Sequence, residues 1–200
     1  MDERFYNVNK KKKLGEWVMV QETGSTDYDI GLYYIWEIMN EVLNAYYYSK
    51  QNISKLTQGE AYEIKRENFE VYFTDRVFKA YIDINLSKLI ENDKKAWSLY
   101  QLLKVIHKYN WPDENEIKSA IESFTIVIRD IRTSRHERIA HLSKKNRPNV
   151  VHINYELADY RNIIEKAVML VDRFVDGKIP YLLHCSESED IDLRAIVSQR

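Results

Sequence analysis

An all-α fold is what this 200-residue chain predicts, and three features point to it. Glycine and proline are scarce, at 5 and 3 residues, which suits long helices joined by few turns better than a β-rich fold. Apolar residues recur at three- and four-residue intervals in segment after segment, the period of a helix with one buried stripe. Hydrophobic residues make up 44% and charged residues 30%, enough for one domain with a sizeable core and polar outer faces. The expected architecture is a bundle of about five long helices with polar terminal tails. A lead-in should occupy 1–24, the helical bundle 25–178, and a C-terminal tail or peripheral helix 179–200.

Residues 1–13 end in Lys10-Lys11-Lys12-Lys13 and read as a solvated tail. Leu14 to Gln21 can form a short strand or an extended lead-in. Gly24-Ser25-Thr26-Asp27 then supplies cap chemistry for a helix to about Ser49, in which Ile35, Ile38, Met39, Val42 and Tyr46 keep helical spacing. Its tyrosines, Tyr33, Tyr34 and Tyr46 to Tyr48, suit core or interface packing, or stacking on bases. Thr57-Gln58-Gly59-Glu60 resembles a capping box, followed by Ile64, Phe69, Tyr72, Phe73, Val77, Tyr81 and Ile84, in one long helix or two ending near Ile90. Asn92-Asp93 should start the next helix, whose apolar content is Trp97, Tyr100, Leu103, Val105 and Ile106, and Asn110-Trp111-Pro112-Asp113 should stop it.

In the helix after that stop, Ile117, Ile121, Phe124, Ile128 and Ile131 fall in one narrow stripe that should face a core or a partner. Arg135 falls on the same stripe, about 40° from Ile131, with Arg138 near one edge and His141 just beyond it. An unpaired guanidinium in a low-dielectric site costs several kcal/mol. Either this end of the helix opens into a polar cleft, or Ser134 breaks the helix. Lys144-Lys145-Asn146-Arg147-Pro148-Asn149 is a clear loop. Asn154 can cap a final long helix with Ile163, Ile164, Ala167, Val168, Val171 and Phe174 inward, ended by Gly177. The acidic stretch from Ser186 to Asp190 suits a mobile tail or a small peripheral helix.

The formal net charge is −1, so no bulk positive field recruits nucleic acid and any such partner must be held locally. A local patch exists. Between Arg129 and Arg147 seven cations stand against Asp130 and Glu137, an excess of five on a nearly neutral chain. The lone Cys185 excludes an intrachain disulfide and a cysteine-rich zinc cage, which points to a reducing compartment. No apolar run approaches the roughly 20 residues that span a bilayer, and Met1-Asp2-Glu3-Arg4 lacks a secretory signal's apolar segment. A cytoplasmic protein without membrane partners is expected.

The pattern Arg135, His136 and, after four more residues, His141 resembles the signature of HEPN domains, over roughly residues 25–178. These are all-helical antiparallel bundles, many of which are metal-independent ribonucleases. In that family the arginine is followed directly by a polar residue, and His136 fits the slot. The resemblance implies a homodimer in which two copies of the motif converge at the interface, with a ribonuclease reaction that typically leaves a 2′,3′-cyclic phosphate. It also implies that His136 orients or polarises, that Arg138 holds the substrate backbone, and that no cofactor is required. Such an enzyme would suit the toxic effector of a toxin-antitoxin or phage-defence module, with a cognate antitoxin protein as a further partner.

The chemistry fits those residue types. A base must deprotonate the ribose 2′-hydroxyl and a cation must stabilise the charge on the phosphorane. Histidine titrates near neutrality, and arginine stays charged while matching phosphate through its planar fork. His141 and Arg135 are the candidates for those two roles, and Arg132, Arg138, Lys144, Lys145 and Arg147 are the candidates for holding RNA. Two other readings of these residues stay open. Arg132, Arg135 and Arg138 can form a solvated helix face partnered by Asp130 and Glu137, with His141 ending the helix where a cation suits the dipole. The protein would then be a non-catalytic helical module that binds nucleotide, RNA or a protein partner. A zinc site at His136 and His141 is disfavoured, because residues five apart point about 140° from each other on a continuous helix. His107, His152 and His184 are isolated, and the cluster Glu187, Glu189 and Asp190 reads as a solvated acidic run.

Overall fold

The computed structural model describes residues 26–54, 69–108, 111, 113–134, 157–175, 178–186 and 189–198. Helix α1 (Asp27–Ile53) is the axis on which the rest is assembled, packing against α2 (Phe69–Leu89), α3 (Leu99–Lys108), α6 (Leu157–Asp172) and α7 (Leu193–Ser198). Its start is chemically specified. Thr26 Oγ1 accepts from the Asp29 backbone N–H at 3.2 Å while Asp29 Oδ2 accepts from the Thr26 N–H at 3.0 Å, a reciprocal capping box. Ile35, Met39, Val42 and Tyr46 are buried, as their spacing predicts.

The helix runs past the expected Ser49 because the polar residues that look like an ending serve as cross-links. Ser49 Oγ donates to Asp75 at 2.5 Å and Asn52 Nδ2 donates to the Val71 carbonyl at 2.8 Å. With Tyr81 bonded to Glu41 further along, these contacts set α1 and α2 antiparallel. On α2 the inward side belongs to Ile82, Leu86 and Leu89, joined by buried Asp75 and Asn85. The aromatic series that marks the period in the sequence points the other way: Phe69, Phe73, Val77 and Tyr81 are exposed. The expected capping box at Thr57 and the residues to Ile64 lie outside the described residues.

Asn92-Asp93 does not start α3. Asp93 Oδ1 accepts from the Lys95 N–H at 2.9 Å and its carbonyl accepts from Ala96, which keeps 91–98 in turns. The cap is Ser98, whose Oγ accepts from Gln101 N–H at 3.4 Å and whose carbonyl accepts from Leu102 at 2.9 Å. Trp111, beyond the end of α3, stacks on Tyr28 with centroids 5.5 Å apart. Helix α4 (Glu114–Val127) follows, with Glu114 and Glu116 favourably placed in its first turn.

Helix α6 buries the expected stripe Ile163, Ile164, Ala167, Val168 and Val171, with Phe174 buried just beyond it. Its proposed cap, Asn154, lies outside the described residues. The C-terminal segment forms more than a tail. Strands β1 (Leu182–Ser186) and β2 (Glu189–Asp192) pair antiparallel, with Leu182 opposite Asp192 and Leu183 opposite Ile191, and lead into α7. Ile179, Tyr181, Leu193 and Val197 are buried in the same core as α1 and α6. Of the acidic run, Glu189 and Asp190 open β2, and the apolar residues Tyr181 and Leu193 flanking the strands anchor the segment. The described architecture is therefore an all-α bundle with one small two-stranded appendage. No helix among the described residues is long and apolar enough to cross a membrane.

Candidate functional site

The stripe that leads to the motif is buried along its whole length: Ile117, Ile121, Phe124, Ile128 and Ile131 all lie in the core. It is carried by two helices. Helix α4 stops at Val127, and Ile128 takes a φ of −97° and ψ of 13° while its N–H still bonds the Phe124 carbonyl at 3.1 Å. Helix α5 (Arg129–Ser134) resumes immediately and packs on α2. One break lies at Ile128, which stays inward between Phe124 and Ile131, and Ser134 is the last described residue of α5. A stripe covered by its own chain is not a free face for a partner.

Of the residues assigned to RNA chemistry, Arg132 belongs to α5. Arg135, His136, Arg138, His141, Lys144, Lys145 and Arg147 lie outside the described residues. The α1 tyrosines divide by position. Tyr46 is buried in the core, and Tyr34 and Tyr48 are exposed, Tyr48 stacking on Phe78 at 6.0 Å.

Three clefts among the described residues carry mixed charges. One, of about 520 Å3, lies between α1, the end of α2 and the 91–98 turn, with Glu37, Glu41, Lys88, Lys95 and Trp97 on its walls. A second, of about 380 Å3, runs between α6 and α7 beside Glu165, Met169, Asp172, Lys178 and Arg194. A more open third lies along α4 by Asn115, Ser119, Ser123 and Arg173. No histidine lines any of them. His107 sits instead on the exposed end of α3, its Nδ1 2.8 Å from Glu114.

Two polar centres were not legible in the sequence. At the base of the α6–α7 cleft Arg194 makes a bidentate pair with Asp172, Nη1 to Oδ2 and Nη2 to Oδ1 both at 2.7 Å, and Nη2 also donates to the Ile179 carbonyl at 2.7 Å. The hydrogen bonds to Asp172 hold the guanidinium proton more firmly than usual, against a smaller opposing effect of burial. The Arg194 guanidinium lies 5.7 Å from the ring centre of Tyr181, whose hydroxyl is pushed above its ordinary range by burial and then by the Asp172 charge. These contacts fasten α7 to α6. The second centre is Asp75, buried between Ser49 and Lys79, with the Lys79 ammonium 2.8 Å away. Residues 22 or 26 apart share no local pattern, so neither the Asp172–Arg194 nor the Ser49–Asp75 contact has a sequence signature.

No protein-family model, curated protein or solved structure matches the chain.

Proposed function

We propose that this protein is a metal-independent endoribonuclease of HEPN type, the toxic effector of a toxin-antitoxin or phage-defence module, working as a homodimer with a composite active site. The observation that carries the reading is the pattern Arg135, His136 and His141, which begins one residue after a helix held to the core by Ile128 and Ile131. The all-α architecture and the excess of five cations between Arg129 and Arg147 support it. In this reaction His141 takes the proton of a ribose 2′-hydroxyl, and the oxygen attacks the adjacent phosphorus. The bond to the 5′-oxygen breaks and that oxygen takes up a proton from water, leaving a 2′,3′-cyclic phosphate and a 5′-hydroxyl. Arg135 answers the charge on the phosphorane, His136 orients or polarises, and Arg132, Arg138, Lys144, Lys145 and Arg147 hold the RNA backbone.

Incubation of the purified chain with total RNA in chelator tests this. Cleavage is expected for the wild type and is expected to be lost in both Arg135→Ala and His141→Ala, with unchanged circular dichroism. RNA binding should weaken with added salt, and further when Lys144 and Lys145 are both replaced by Glu. Wild-type-like cleavage by Arg135→Ala, or no cleavage by the parent, overturns the assignment and leaves a helical module that binds nucleotide, RNA or a protein.

A further inference from the structure

We infer that the outer face of α2 is where a second copy of this chain docks. Phe69, Phe73, Val77 and Tyr81 follow one another at four-residue intervals and are 59%, 59%, 50% and 41% exposed. Successive members turn by about 40° on a helix, so the four make one slowly winding ridge. Phe69 and Phe73 stack with centroids 6.4 Å apart, and Tyr48, 46% exposed on α1, broadens the face by stacking on Phe78. Single exposed apolar residues need no explanation, but an ordered row of this kind marks an interaction surface.

Area, shape and charge choose the occupant. An aromatic side chain can bury about 150–250 Å2, so the exposed parts of these five amount to roughly 500 Å2 per copy and about 1,000 Å2 across a pair, where specific interfaces begin. A ridge of residues four apart fits the groove beside an identical ridge, and a two-fold pairing presents one patch to itself. Of the charges beside the ridge on α2, Glu70 and Arg76 are exposed and opposite in sign, while Lys79 is paired with Asp75. The face neither repels its own copy nor offers the positive field that nucleic acid requires. The other long apolar stripe, on α4 and α5, is already covered by the chain's own core.

This deepens the proposed function and rests on it for one consequence. Because α5 packs on α2 and Arg135 follows it directly, α2 is the face through which dimerisation would assemble the composite site.

Light scattering on the full chain over a dilution series tests the inference, with Phe73→Glu and Val77→Ser as separate variants. Both side chains are exposed, so both variants should keep the wild-type circular dichroism. The wild type is expected to have the mass of two chains at high micromolar concentration. Phe73→Glu should halve that mass at the same concentration, and Val77→Ser should shift the dissociation midpoint upward. A wild type that stays monomeric overturns the inference, as does a dimer that neither variant weakens. RNA cleavage in chelator, measured on the same samples, separates the two claims. A dimer lost in Phe73→Glu without cleavage by the parent upholds the docking face and removes the ribonuclease, whereas cleavage by a monomeric parent removes the docking face and the composite dimer site and leaves only the ribonuclease chemistry.

Discussion

Replacing Gly31 by alanine should destabilise this protein, although the same change in an open helix would stabilise it. Glycine in a helix interior costs about 1 kcal/mol relative to alanine, so on propensity alone Gly31→Ala is a gain. The packing reverses the sign. A Cβ at Gly31 would lie 2.6 Å from Trp97 Cζ3, 2.7 Å from Trp97 Cε3 and 3.2 Å from Leu102 Cδ1. Carbon atoms sit at about 3.5–4.0 Å in contact, so the indole would have to retreat by about 1 Å. It has little freedom to do so, because Trp97 lies in the turn fixed by Asp93 and adjoins Ser98, the cap of α3. Overpacking of this kind costs about 1–3 kcal/mol, which leaves a net loss of about 1 kcal/mol after the propensity gain. For a chain of this size that lowers Tm by about 2–4 °C. Thermal unfolding followed by circular dichroism measures it. Trp97→Leu should remove the obstruction, so in that background Gly31→Ala should raise Tm, a reversal that a double-mutant cycle reads directly. A higher Tm for Gly31→Ala in the wild-type background, or the same shift in both backgrounds, would refute the packing argument.

Asp75→Ala should cost about 2 kcal/mol, because it strips the buried Ser49 hydroxyl of its acceptor and Lys79 of its partner; an unchanged midpoint in a urea titration would show that the α1–α2 cross-link contributes nothing. Alkali should unfold the protein through its buried tyrosines. Burial, with a smaller contribution from Asp29, raises Tyr28 above its ordinary value, and burial with Asp172 does the same for Tyr181. A group whose folded pKa is raised contributes stability that is fully present below its unfolded value of about 10 and lost as pH climbs towards the folded one. Phenolate absorbance should therefore show some of the 15 tyrosines ionising only together with the loss of helix, and full ionisation while the fold persists would contradict this.

How far the sequence could be read depended on whether a segment has one apolar stripe or two. Helices α1, α4 and α6 each carry a single repeated stripe, and their inward residues were legible: Ile35 to Tyr46, Ile117 to Ile131 across into α5, and Ile163 to Phe174. Helix α2 carries two. Periodicity identifies the helix but cannot say whether the aromatic row or Ile82, Leu86 and Leu89 goes inside, because that is decided by Ser49 and Asn52 on the neighbouring helix. The start of α3 was misplaced because an Asp side chain bonds backbone N–H groups equally well in a turn and at a cap. At the C-terminus, strands of five and four residues, the second of them mostly carboxylates, are too short to rise above an acidic composition, and the apolar anchors Tyr181 and Leu193 lie on either side of it. Of the candidate site, the spacing of Arg135 from Ile131 was legible, and so was the burial of everything leading up to it. The Asp172–Arg194 pair was not, since it joins residues brought together only by the fold.

The burial of that stripe changes which part of the molecule answers which question. On the sequence alone, the apolar row from Ile117 to Ile131, with an arginine following at the same spacing, should face either a core or a partner. With Ile128 and Ile131 fully buried against the chain's own core, the row needs no partner and serves to fix α5. Arg135 follows Ile131 at the same four-residue spacing that links Ile117 to Ile121 and Phe124 to Ile128. The proposed dimer contact then passes to α2, whose aromatic row is exposed. Anchoring and the proposed dimerisation are thereby separated onto different helices, so Phe73→Glu should dissolve the proposed dimer without loosening α5, whereas Ile131→Ala should cost about 2–5 kcal/mol of stability and loosen α5 whatever the oligomeric state.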